Sequence, residues 1–180
     1  MEEGWRLQVS ELIVEGRNEE ALVLIRQAIT LGEMSARVML ARMWMHSEAA
    51  LSRSEADAMI DEIEASLDAE DIETRLQLRG AYAIGLGNLP HDEKARRSFQ
   101  HHLRAVELGA NVVDTLALAR IYIMGALEVP PNEQEAIRWY KHAIQQGSVE
   151  AAHELQQVYR HIEKRDRGSG GVTRLDSRRK

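Results

Sequence analysis

The chain has 180 residues, 44% of them hydrophobic and 29% charged, with a net charge of −6 and no cysteine. That length and apolar content suffice for a buried core, while the lack of Cys removes disulfides, thiolate nucleophiles and cysteine metal sites together. No run approaches the ~20 apolar residues of a membrane span, and the acidic start Met1-Glu2-Glu3 lacks the basic and apolar segments of a secretory signal, so the chain is read as cytoplasmic.

Helix formers dominate, and strand-like alternation of β-branched residues is absent. Trp5, Val9 and Ile13 recur at helical spacing and stop at Gly16; a short turn, Arg17-Asn18-Glu19-Glu20, leads to a second helix through Ala21, Ile25 and Ala28 that ends at Gly32. A second pair is marked by Ala36, Leu40 and Trp44, then by Ala58, Ile63 and Ala65, with Ala69 where the other pairs carry Gly. The third has Leu78, Tyr82 and Gly85, a loop over residues 86–94, and a second helix from Ala95 to Gly109. The fourth runs from Val112 through Leu118, Ile121 and Tyr122 to Gly125. After a loop with Pro130-Pro131, Glu133 and Glu135 place carboxylates in the first turn of its second helix, which Gly147 closes. A last helix, residues 151–161, repeats Leu155 and Tyr159.

The four leucines, Leu40, Leu78, Leu118 and Leu155, lie 38, 40 and 37 residues apart, each four residues before a large aromatic. A period of that size signals a solenoid in which each two-helix unit buries its apolar face on its neighbours. The predicted fold is all-α: a right-handed α-solenoid of about four helix-turn-helix repeats plus a C-terminal capping helix. Residues 1–163 form the repeat domain and residues 164–180 a basic, flexible tail.

Tyr82-Ala83-Ile84-Gly85-Leu86-Gly87, Asp92 and Lys94-Ala95, together with Ala136, Trp139-Tyr140, Lys141, Ala143 and Gly147, resemble the Sel1-like repeat, a member of the tetratricopeptide-like superfamily. Its signatures are Tyr-x-x-Gly-x-Gly, Asp-x-x-Lys-Ala and Trp-Tyr-x-Lys-Ala, and the resemblance covers roughly residues 4–161. It implies an adaptor that binds other proteins and has no catalytic residues of its own.

In such a stack the first helices line the concave side. Residues two and five beyond each repeat leucine then point into it, giving Arg42 and Met45, Arg120 and Ile123, Gln157 and Arg160, with Leu76 two before Leu78. This apolar strip with a few charges suits an amphipathic helix or an extended peptide. Arg42 and Arg120 each offer a bidentate fork for a partner's carboxylate, or else pair with carboxylates of the chain itself.

Residues 1–163 carry 16 basic and 27 acidic side chains, net −11, and residues 164–180 carry seven and two, net +5. An acidic body argues against nucleic acid, which needs a basic face, and suits a basic protein or peptide partner. The densest acidic run, from Asp61 to Glu73, is either a solvated helix face or a patch that steers encounter.

His101, His102, His142 and His153 form no metal motif, because adjacent histidines on a helix diverge by about 100° and no His-Glu-x-x-His occurs. Gly85-Leu86-Gly87 lacks the strand and third glycine of a nucleotide loop. Trp5, Trp44, Tyr82, Tyr122 and Tyr159 are read as packing residues at a repeated core position. The reading is therefore a non-enzymatic scaffold, monomeric or weakly dimeric, with no metal, cofactor or catalytic residue. The alternative is a dedicated inhibitor of a partner enzyme, such as a bacterial immunity protein or antitoxin.

Overall fold

The computed structural model describes residues 4–47 and 49–169. Among them are nine α-helices and no strand: α1 (Gly4–Val14), α2 (Asn18–Thr30), α3 (Met34–Arg42), α4 (Arg53–Ser66), α5 (Ile72–Ala83), α6 (His91–Glu107), α7 (Val112–Met124), α8 (Glu133–Gln145) and α9 (Val149–Ser169), with a 3-10 turn at Met43–Met45. Successive helices pack in pairs, α1 with α2, α3 with α4, α5 with α6 and α7 with α8, as the repeat requires. Two compact units result, one built on α1 to α6 and the other on α7 to α9. No helix among the described residues is long and apolar enough to cross a membrane.

Several helix starts have local causes. Ser52 accepts from the Glu55 backbone N–H while Glu55 reaches back to the Ser52 N–H, a reciprocal box that fixes the start of α4. Asp71, Asn111 and Asn132 cap α5, α7 and α8 by accepting backbone N–H bonds, and Ser148 accepts from Ala151 at the start of α9. Caps of this kind contribute about 1 kcal/mol each. α6 has no such cap; Pro90 precedes it, and Asp92 and Glu93 sit in its first turn, where the helix dipole favours negative charge. It thus begins four residues before the Ala95 start read from the sequence.

The stacking in the first unit is clearest at α3. Ala36, Leu40 and Met43 recur three and four apart and join Trp5, Val9, Leu22 and Ile25 in one core, while Val38 and Ala41 face a second core with Ala56, Ile60, Ile63, Leu78 and Tyr82. A helix buried on two sides cannot be strongly amphipathic, which is why the second repeat reads less sharply in sequence than α6 or α8. In the second unit Leu118, Ala119, Ala136, Trp139, Tyr140, Ala143, Ala151 and Leu155 are buried.

All four repeat leucines are buried, but their aromatic partners are not equivalent. Tyr82 lies in the core, as does Trp5 of the first repeat, Trp44 and Tyr122 are half-buried, and Tyr159 is 39% exposed. This corrects the uniform packing role read from the pattern. α3 ends at Arg42, so Trp44 sits in the 3-10 turn, where the Arg53 guanidinium lies 4.9 Å from its ring.

The interruption at Ala126-Leu127 is accommodated at Gly125, which has φ +72° and closes α7. A Cβ there would meet Pro131 Cδ at 2.6 Å, so the loop can return to α8 only over a bare backbone. α9 continues to Ser169, so residues 164–169 of the segment read as a tail are helical, and Arg165 pairs with Glu133 of α8 at 2.5 Å. The rest of that segment, residues 170–180, lies outside the described residues.

Candidate partner-binding site

The glycine and lysine signature of the third repeat is accounted for by folding. The Gly87 N–H donates to Asp57 Oδ1 at 2.8 Å, a Cβ on Gly87 would lie 3.0 Å from Tyr82 Cε1, and Asp57 is held by Arg53 at 2.8 Å. Lys94 Nζ donates to the Gly85 carbonyl at 2.6 Å, and Arg53 donates to the same oxygen. A left-handed loop with spare carbonyls thus docks on α4 through charges that the motif supplies.

Much of the acidic run is engaged in the same way. Asp61 accepts from the Asn88 side chain at 2.7 Å, Glu62 pairs with Arg37 at 2.9 Å, Asp71 caps α5, and Glu73 lies 3.3 Å from Arg6 Nε. Glu64 sits between Arg97, at 2.8 Å, and His101 Nε2, at 2.7 Å, while the His101 ring stacks on Tyr82 with centroids 5.7 Å apart. Burial pushes the Glu64 carboxyl up, but the hydrogen bond and charge of His101, and then of Arg97, outweigh it and hold the group below the usual carboxylate range. His101 is 4% exposed, so this pair is a buried polar tie between α4 and α6. No group of three or more His, Asp or Glu disposed to hold a metal occurs among the described residues.

A depressed carboxylate stabilises the fold above its unfolded pKa of about 4.3, and the contribution is lost as pH falls through the lower folded value. Glu64→Gln is therefore expected to be less stable than the parent at pH 7, with the difference closing in acid. Urea denaturation of both proteins from pH 7 to pH 2 checks this; a difference that stays constant over the range overturns the assignment.

The residues proposed for binding separate by unit. In the first, Arg42 and Met45 line a cavity of about 190 Å³ with Ser10 and Ile13 of α1, Met39 of α3, Met43, His46, Gln77 of α5 and Ile84 just after it. α1, α3 and α5 are the first helices of three successive repeats, and a polar ladder also joins them. Arg6 of α1 donates to Glu33 at 2.9 Å and to Ser35 of α3 at 3.1 Å, and it reaches Glu73 of α5. Glu73 accepts from Gln77 at 3.1 Å, and Gln77 Oε1 accepts from Arg42 Nη1 at 2.6 Å. Leu76, beside Gln77, is half-buried and does not line the cavity.

In the second unit Ile123 of α7 and Gln157 of α9 line a more open depression of about 360 Å³ with Glu133, Val158 and His161. Arg120 is committed elsewhere. Its Nη2 donates to Glu150 at 2.6 Å and to Glu154 at 2.5 Å, and Glu154 also accepts from the Tyr140 hydroxyl at 3.0 Å. These bonds hold α7 and α8 to α9, raise the Arg120 pKa above its ordinary value and, after burial, help push the Tyr140 phenol up to about 12. Arg160 is exposed on α9. Spacing could not reveal that Arg120 pairs with two carboxylates while Arg42 meets a neutral amide.

No protein-family model matches the chain, nor does any curated protein sequence. A solved structure described as a Sel1 repeat protein from Oxalobacter formigenes is similar, with 25% identity and a TM-score of 0.50 over 76% of this chain and 97% of that one.

Proposed function

We infer, from the premise that the chain is a Sel1-like repeat protein, that it acts as an adaptor or scaffold binding a protein partner through the face made by its first helices. The observation that carries this reading is the open cavity at Arg42 and Met45, to which α1, α3 and α5 all contribute. Met45 is 51% exposed at that site and Ile84 is 37% exposed, so apolar surface is offered on the face where the repeats present a continuous line of side chains. The other polar clusters have structural work: the ties at Asp57, Glu64 and Arg120 hold loops and helices together.

A photo-crosslinking side chain placed at Met45 in the producing cell tests the reading. A discrete adduct with a second protein is expected from Met45 and not from Val23, an exposed position on the second-helix side of the first repeat. Adducts from Val23 alone, or none from Met45, overturn it. An adduct whose partner is an enzyme inhibited by the complex identifies the scaffold as an inhibitor.

A further inference from the structure

The two candidate arginines differ in one respect that bears on partner chemistry. Arg120 is met by two carboxylates, and in the first unit Arg6 also has two while Arg37 and Arg53 each have one. Arg42 has none among the described residues. Its nearest polar partner is the neutral Gln77 amide, and the charge that acts on it is the cationic Arg79. Burial, and then Arg79, push its guanidinium below its ordinary pKa, which means the charge is held where it is poorly solvated. The position is built rather than accidental. Gly80 has no side chain, and a Cβ there would come within 3.2 Å of the Arg42 guanidinium, so the fork lies against the bare backbone of α5.

Five of the other side chains that line the cavity are apolar, beside Ser10, His46 and Gln77. Met39, Met43 and Met45 line it with Ile13 and Ile84, and unbranched thioether side chains adapt to varied aliphatic shapes. Its volume of about 190 Å³ is below the roughly 300–1,000 Å³ of small-molecule sites, which suits one or two side chains of a longer chain. The exposed Met45 and Ile84 leave the rim open on the first-helix face, so a chain can pass across it rather than end in it.

We propose that this cavity is an anchor for an internal Asp or Glu side chain of the partner, the carboxylate taken by the Arg42 fork and a neighbouring Leu, Met or Ile seated among the methionines. This rests on the adaptor reading and gives its partner a chemistry. Although the chain as a whole is acidic, the anchor selects an acidic residue, because Arg42 lines the cavity and no Asp or Glu stands among the described residues that line it. A carboxylate there replaces a poorly solvated lone cation with a charge-assisted pair.

The test uses the full chain against a library of random octapeptides acetylated and amidated at their ends, and a second library with free carboxyl ends. The capped library should enrich Glu or Asp beside Leu, Met or Ile. Arg42→Gln should weaken an enriched peptide about ten-fold or more, the scale of a hydrogen bond to a charged group. Met45→Glu, which brings the chain's own carboxylate to the rim, should do the same, and Arg104→Gln should change nothing. Because Met45 is exposed, its variant decides the matter should Arg42→Gln fail to fold. Enrichment without an acidic position, acidic preference that survives both variants, or enrichment only among free carboxyl ends overturns the proposal. No bound peptide alongside a crosslinked partner at Met45 overturns the proposal alone; no peptide and no crosslink removes the adaptor reading with it.

Discussion

Tyr82→Ala is expected to destabilise the first unit by about 3–5 kcal/mol, the usual scale for deleting a large buried aromatic. The ring is 2% exposed, packs in the core with Val38, Ile60, Ile63 and Leu78, and stacks on His101. It also lies under the Gly87 turn, so its loss leaves a cavity that the backbone of residues 85–87 cannot fill without releasing the Gly87 to Asp57 bond. The same truncation at Tyr122, which is half-buried, should cost less, and at Tyr159, 39% exposed, least. Urea denaturation of the three variants gives the order directly. Equal losses at Tyr82 and Tyr159 would mean that position within the repeat, rather than burial, sets the contribution.

That graded series shows what a period in sequence carries. A leucine every 37–40 residues was legible because each unit must place one apolar side chain in the same buried slot, and all four leucines are buried. The aromatic four residues on does not share the environment: α3 stops at Arg42 and passes Trp44 to a 3-10 turn, and Tyr159 stays 39% exposed. Burial of that kind depends on elements distant in sequence.

Pairing was even less legible. Nothing near Arg120 announces Glu150 and Glu154, 30 and 34 residues away, and nothing near Arg42 shows that Gln77 rather than an acid would face it. The acidic run looked like open surface, yet its members cap α5, hold His101 and bind the Asn88 loop. Spacing gives the face of a helix; the partner across the gap is set by tertiary packing. Only the glycines and prolines carried such information locally, since Gly125 and Pro131 must meet in one turn.

Deleting the chain from Val149 onward should have the largest effect on the second unit. α9 buries Ala151 and Leu155 against α8, and Leu155 alone represents roughly 1.5–3 kcal/mol of apolar burial. It also supplies Glu154 to Arg120 and to the Tyr140 hydroxyl. Without it a buried phenol loses its acceptor, and the face of α8 that bears Tyr140 and Ala143 meets water. Two helices joined by an eight-residue loop have no second layer of their own on which to bury that face. Hydrogen exchange of the truncated chain should show protection lost across α7 and α8, with self-association as the exposed apolar face finds another copy, while α1 to α5 keep theirs. Deleting only residues 170–180 should leave α7 and α8 protected. A monomer truncated at Ser148 whose α7 and α8 exchange as slowly as in the full chain would show that α9 is an appended helix and not the cover that the last repeat needs.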